Sequence, residues 1–409
     1  MWRKGVILLF VALAASAVMA RADAMSQDTL RKTNIIYDPI DYTSVSRQLQ
    51  LAAQPTFWQR FTTRLRQPLF ADNPTTNFHT TGRLGIRYAA ETNLSFTGVL
   101  AGEYSTAVGD ATTPMSALSL TMDVSLTGYY GFYLAGDTFL PRGKDRLTYS
   151  VSTSSMPVRF WGLGYDAGLN NIRTKYVNKA TNADVRYLRE VAAGLWLGGA
   201  VEYNFAEGTS FDTLGEEYLA AANQANDNFS SLGVGLMAIY DRRNAKVNTT
   251  DGVYLSLHTQ LRPKQLSNVD SNLLHIEAVA DYYASVWAGG VVAVDLYANL
   301  WSSATPWIMW PSVGGSNRMR GYYYGRYTDR KMLLGQVELR QQIYGPIGCA
   351  VWGGAAKVFP SFKTFDFKNI LPNYGLGVRV VLGDGTSLRV DYGFGRHSNE
   401  LIININEAF

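Results

Sequence analysis

From about Gly82 to Phe409 the chain alternates between apolar and polar residues with a period of two. Near Leu388, residues Leu388, Val390, Tyr392 and Phe394 share one face, and Arg389, Asp391, Gly393 and Gly395 share the other. In the last segment Ile403, Ile405 and Phe409 fall on one side, with Asn404 and Asn406 opposite. Such alternation predicts strands with one wet and one apolar face. Roughly sixteen segments follow the rule, each about the length of a tilted membrane strand. They centre near Ile86, Phe96, Leu120, Phe132, Tyr149, Arg186, Leu197, Leu236, Leu255, Val279, Leu296, Val337, Trp352, Val378, Val390 and Ile405. The alternation breaks over Tyr165 to Asn182.

Connection lengths decide what the apolar faces touch. Short turns at Ala288-Gly289-Gly290, Gly345-Pro346 and Gly383-Asp384-Gly385 alternate with long excursions near 207–230, 302–330 and 360–371. A β-sandwich has no reason to segregate loop lengths in this way. An outer-membrane barrel does, with short turns at one rim and long loops at the other. The predicted fold class is therefore all-β, a transmembrane antiparallel β-barrel of about sixteen strands. Placed inward, Glu338, Arg340, Arg379, Arg389 and Asp391 could meet; an Arg facing lipid at the midplane would cost roughly 2–4 kcal/mol.

Composition agrees. Only 17% of residues are charged and aromatics reach 13%. The mean hydropathy of −0.08 is what an apolar outside and a polar inside average to. The N-terminus supplies an export signal: Arg3 and Lys4, an apolar run from Val6 to Ala20, and Ala22-Asp23-Ala24 as a cleavage site. The expected organisation is a signal peptide over 1–24, a periplasmic segment over 25–78 and the barrel over 79–409. Within the middle segment Phe57, Trp58, Phe61 and Leu65 predict a short amphipathic helix, either docked under the barrel or lying at the membrane interface. Without the signal, basic and acidic residues nearly balance, which leaves no footprint for nucleic acid. Cys349 is the only cysteine, so no internal disulfide forms. His79, His258, His275 and His397 lack metal-ligand spacing, and no nucleophile elbow occurs. The expectation is a non-enzyme without cofactor or metal.

The excursion before Lys331 contains Gly314-Gly315-Ser316-Asn317-Arg318-Met319-Arg320-Gly321-Tyr322. Its glycines permit tight turns and its Arg and Tyr suit a polar wall. It either stays exposed or folds into a lumen lined by Glu338 and Asp391. Met319-Arg320-Gly321-Tyr322 resembles the Val-Arg-Gly-Tyr/Phe motif of the BamA/TamA superfamily of outer-membrane assembly barrels, the bacterial surface antigens. There the motif sits in the sixth extracellular loop, between strands eleven and twelve of sixteen, and here the loop follows the eleventh segment. Glu338 matches the family's lumenal acid, and Asp241-Arg242-Arg243-Asn244 with Gly252 resembles its turn before strand nine. Leu388 to Gly393 and the Phe409 terminus resemble its closing strands, which assigns Ile403, Ile405 and Phe409 to the last strand. The match spans about Tyr240 to Phe409.

Two departures stand out. The family's Asp on strand thirteen is replaced by Gly354 in Trp352-Gly353-Gly354-Ala355-Ala356. An inward Arg320 then needs another partner, Glu338 or Asp391, with Trp352 as a stacking face and Arg389 beside it. The chain also resembles a short, barrel-only branch without the family's periplasmic POTRA domains. The resemblance implies the sixth loop folded into the lumen, an outer-membrane location, lipid as solvent, and a role in assembling, inserting or translocating client outer-membrane proteins. A passive small-solute pore and a structural subunit of a larger complex are the alternatives.

Overall fold

The computed structural model describes residues 78–409, apart from 90–91, 108–109, 111–112, 172, 223–227, 247 and 384–385. The expected signal peptide and the amphipathic helix lie outside the described residues. The barrel strands are β1 (Phe78–Ala89), β2 (Asn93–Tyr104), β3 (Ser116–Ser125), β4 (Tyr130–Phe139), β5 (Asp145–Phe160), β6 (Thr174–Ala192), β7 (Leu195–Thr209) and β8 (Asn228–Asp241). They continue as β9 (Gly252–Arg262), β10 (Leu273–Trp287), β11 (Gly290–Trp301), β12 (Lys331–Tyr344), β13 (Ile347–Phe359), β14 (Leu371–Gly383), β15 (Thr386–Gly395) and β16 (Ser398–Ile405). Each joins its sequence neighbour antiparallel, and β1 meets β16 to close the barrel. Every centre named above falls inside its strand.

The faces divide as alternation requires. Asp295 is fully buried while Leu296 beside it is 53% exposed; Glu338 is fully buried while Val337 is 49% exposed. The exposed apolar set recurs around the wall in Leu100, Leu236, Leu257, Val351 and Leu376, and forms the lipid-facing surface of a transmembrane barrel. Between β5 and β14 the connections after odd-numbered strands are long, including 161–173, 210–227, 302–330 and 360–370, whereas β15 and β16 are joined by the two residues 396–397 and the 242–251 connection on the other rim runs ten residues. The opposite rim carries two-residue turns such as 193–194, 288–289 and 345–346.

The broken pattern has a physical cause. Residues Gly164–Asn170 form a short helix, α1, and the strand resumes at Thr174, earlier than the alternation shows. β6 then runs 19 residues. That exceeds the 9–11 a membrane crossing needs. Its long-loop end is therefore outside hydrocarbon, and both faces there are free to be polar. The helix α2 (Thr213–Ala221) and residues Trp307–Met309 pack on this end, where Leu219 and Trp307 join Val158, Phe160 and Tyr176 in one apolar cluster.

Register at the seam differs from the rest of the wall. β15 and β16 pair continuously from Leu388↔Ile405 to Gly395↔Ser398. Among the described residues, β1 and β16 register at one pair, Tyr88↔Ile403.

Candidate functional site: an interior charge cluster

Two neighbouring rungs of the wall carry the site. One inward rung runs Glu338↔Trp352↔Gly375↔Gly393 across β12 to β15, and the next runs Arg340↔Ala350↔Gly377↔Asp391. The small residues make room for the large ones. A Cβ on Gly375 would lie 2.2 Å from the Trp352 ring, and one on Gly377 would lie 1.9 Å from an Asp391 carboxylate oxygen.

Arg320 enters this wall from the 302–330 excursion. Its Nη1 donates to Asp391 Oδ2 at 2.7 Å and its Nη2 to Glu338 Oε2. The guanidinium carbon lies 3.7 Å from the centroid of the Trp352 ring. All three charged side chains are fully buried. The carboxylates have further partners. Arg340 Nε donates to Glu338 Oε1 at 2.7 Å, and Arg379 Nη1 donates to Asp391 Oδ1 at 2.5 Å. Arg389 Nη1 donates to Asp391 Oδ2 at 3.1 Å, and Arg379 Nε to Glu407 Oε2 at 2.8 Å. Four guanidinium groups thus share three carboxylates. The arrangement answers the desolvation cost that an isolated buried charge would incur.

The backbone around Arg320 is seated as closely as its side chain. Gly321 has φ +107°, and a Cβ there would stand 2.6 Å from Gly393 C and Phe394 N. A Cβ on Gly393 would meet Arg320 O at 2.5 Å. Both glycines are needed for the loop backbone to lie against β15. Met319 is buried at φ +51°, and its N–H donates to Gln336 Oε1 at 3.4 Å. The Tyr322 hydroxyl donates to Pro372 O at 2.6 Å and accepts from the Arg396 N–H at 2.9 Å. Burial pushes that hydroxyl up to about 12, so it stays protonated. Arg389 Nη2 reaches Ser316 O at 2.9 Å. Farther along, Arg326 donates to Gly168 O of α1 and to His397 O at the β15–β16 turn, at 3.0 and 2.7 Å. One excursion therefore ties three parts of the long-loop rim together.

Other members of the cluster carry no motif. Arg318 forms a fork to Asp295, with Nε–Oδ2 at 2.9 Å and Nη2–Oδ1 at 3.0 Å, and lies 4.1 Å from the Tyr297 ring centroid. Gln336 Nε2 donates to the same carboxylate at 2.9 Å. Asn373 Nδ2 donates to Arg320 O at 3.2 Å. These amides occupy the space opposite Gly354, where a Cβ would stand 2.7 Å from Gln336 Cβ and 2.8 Å from Asn373 Oδ1. An Asp at 354 would have no room. The inward parity of Asp295 and Gln336 was readable; their meeting with Arg318 depends on loop conformation.

The chain end departs from expectation. Ile403 lies on β16 and pairs with Val390 and Tyr88, but the strand ends at Ile405 and Phe409 is not on it. Asn406 takes φ +65° and turns the chain away. Glu407 then reaches Arg379, and the Phe409 main-chain oxygen accepts from Arg340 Nη2 at 2.8 Å. The Phe409 ring centroid lies 5.4 Å from the same guanidinium, so this aromatic belongs to the charge cluster rather than to a lipid face. Near β9, Arg243 forks onto Asp241 with both bonds at 2.9 Å and lies 4.3 Å from the Tyr254 ring centroid.

This wall defines a class: a sixteen-stranded transmembrane barrel whose inward face carries a buried cluster of arginines and carboxylates. No family sequence model matches the chain, and neither does any curated protein. Solved structures do. BamA from Haemophilus ducreyi lacking POTRA domains 1–3 superposes with a TM-score of 0.55 at 13% identity, over 93% of this chain and 81% of that one. CdiB from Escherichia coli gives 0.56 at 12% identity, over 81% and 63%. CdiB from Acinetobacter baumannii gives 0.53 at 11% identity, over 81% and 60%. The barrel shares the fold of these proteins.

Proposed function

We propose that this chain is a non-catalytic outer-membrane barrel of the BamA/TamA type that assists assembly, insertion or translocation of other outer-membrane polypeptides. Loop 302–330 lies in the lumen, locked by Arg320, and keeps the barrel shut to solutes. The β1–β16 seam is where lipid or a client strand enters. The observation that carries this reading is the one registered seam pair among the described residues, Tyr88↔Ile403, beside the continuous β15–β16 ladder. A thinly paired edge leaves backbone N–H and C=O groups available to an added strand.

A seam disulfide tests it. Antiparallel partners have Cα atoms about 4.5–5.5 Å apart. That falls within disulfide reach. Tyr88→Cys with Ile403→Cys, in a Cys349→Ala background, is compared oxidised and reduced in cells relying on this barrel. Oxidation should lower the levels of other outer-membrane barrels and reductant should restore them. Unchanged levels under complete cross-linking would sink the seam mechanism. For the lock, large steady single-channel currents through the purified barrel would contradict a plugged lumen.

A further inference from the structure

The lipid-facing side of the barrel carries, at its long-loop rim, a feature that the interior cluster does not use. β13 ends at Phe359, which registers against Lys331 on β12 and so points outward, in the same sense as Val351. An outward side chain at a membrane barrel should be exposed, yet Phe359 is 2% exposed. The 360–370 connection folds back over it. The Phe362 and Phe365 rings meet the Phe359 ring edge-on, with centroids at 5.2 and 5.0 Å, and Phe365 meets Phe367 at 5.5 Å. The outermost two rings are left in the open: Phe362 is 56% exposed and Phe367 83%.

The same segment is basic. Asp366 is the only acid between Lys357 and Lys368. Its carboxylate is held by Lys357 Nζ at 2.5 Å. Lys363 and Lys368 remain exposed around the two open rings. Below this knob the outward wall continues with the Tyr374 and Phe394 rings stacked at 5.2 Å, then with exposed Leu376 and Val378. Descending from the rim, the order is lysine and phenylalanine, then tyrosine and phenylalanine, then aliphatic side chains. That order follows the layers of a bilayer leaflet: anionic headgroups, the amphipathic interface, hydrocarbon.

We propose that the 357–368 knob binds the phosphorylated headgroup of a membrane lipid in the leaflet at the long-loop rim. Lys363 and Lys368 contact phosphate, and Phe362 and Phe367 lie on the adjoining acyl chains. The apolar rings must be covered, and the exposed Lys363 and Lys368 stand beside them in a segment whose one acid, Asp366, is already held by Lys357, so a phosphorylated amphiphile matches both features. Continuity with the apolar wall argues for a lipid over a soluble anion or a protein partner. The proposal rests on the transmembrane reading and not on the seam or the lock.

The test is native mass spectrometry of the full barrel released from mixed micelles containing diphosphoryl lipid A or the same lipid dephosphorylated. The wild-type protein should retain the phosphorylated form preferentially. Each lysine near an anionic surface contributes about fivefold. Lys363→Ala with Lys368→Ala should therefore reduce retention about 25-fold, and Phe362→Ser with Phe367→Ser should reduce retention of both lipids. Lys264→Ala, an exposed lysine on another loop, should change nothing. Equal retention of the two lipids by the wild type overturns the proposal. So does an unchanged preference in the double lysine variant, or an equal loss in Lys264→Ala. A barrel inactive in assembly would still show the preference, so the two readings fail separately.

Discussion

Arg320→Ala should release the 302–330 loop without unfolding the barrel. The substitution removes two charge-assisted hydrogen bonds, to Asp391 and Glu338, and the stacking on Trp352. Such bonds contribute about 1.5–3 kcal/mol each. The stacking adds about 0.5–2 kcal/mol. The usual extra penalty for stranding a buried charge is small here, because Glu338 keeps Arg340 at 2.7 Å and Asp391 keeps Arg379 at 2.5 Å. The cluster also goes from an excess of one cation to balance. A net loss of about 3 kcal/mol in loop docking follows, which is roughly a 100-fold rise in the open population at about 1.4 kcal/mol per decade. When reclosing outpaces cleavage, protease cutting tracks that population. Limited proteolysis at Arg318, Arg326 or Arg330 should accelerate accordingly, while the thermal transition of the folded barrel moves little. Glu338→Gln should be worse despite being nearly isosteric. It leaves Arg320, Arg340, Arg379 and Arg389 facing two carboxylates, and breaking a buried pair in this way costs about 3–5 kcal/mol. An unchanged cleavage rate in Arg320→Ala, or a milder effect from Glu338→Gln, would falsify the account of the cluster.

Three further outcomes follow from the seating of the loop. Gly393→Ala places a Cβ 2.5 Å from Arg320 O and should cost about 1–3 kcal/mol of docking, whereas Gly353→Ala meets nothing nearer than 3.8 Å and should leave proteolysis as in the wild type. Trp352→Leu keeps both ion pairs and loses the ring beneath Arg320, so cleavage should rise several-fold, well short of the Arg320→Ala effect. Tyr322 is neutral when docked and its hydroxyl is pushed from 10.0 up to about 12 by burial. Its contribution is complete below pH 10 and is lost as pH rises through 12, where the docked hydroxyl itself ionises. Near-ultraviolet circular dichroism should show loop loosening in that window, with a smaller step in Tyr322→Phe; an identical step would remove Tyr322 from the pH response.

Much of this architecture is legible because a barrel strand obeys one local rule. Every second residue must suit lipid, so Leu296 or Val337 reveals its own side and, by parity, the side of Asp295 and Glu338. The rule fails where the environment on both faces is polar, which is why the long-loop end of β6 hid its start at Thr174. It also fails beyond a strand's end. Phe409 has the spacing to continue the Ile403 face, but a single left-handed residue, Asn406, cancels parity and delivers the aromatic to Arg340. Partnership inside the lumen is a matter of loop conformation, and no period encodes it. Arg320 carries a motif, yet Arg318, two residues earlier, holds Asp295 with a fork that no sequence pattern encodes.

Gly354, opposite Gln336 and Asn373 on the inner wall, sharpens what the interior selects. If the wall only needed negative charge to meet Arg320, an Asp on β13 would serve. Instead Gln336 and Asn373 fill that position with neutral amides that address the loop backbone, at Met319 N and Arg320 O. Charge recognition lies on β12 and β15, where Glu338 and Asp391 approach the guanidinium from strands on either side of Trp352 and each is shared with a second arginine of the wall. Because every carboxylate is shared, undocking Arg320 leaves no acid stranded in the low-dielectric interior. The cluster can therefore exchange between occupied and empty states at a cost set by hydrogen bonds rather than by an orphaned charge. A loop held this way can be both firmly docked and releasable, which a wall built on one exclusive ion pair would not permit.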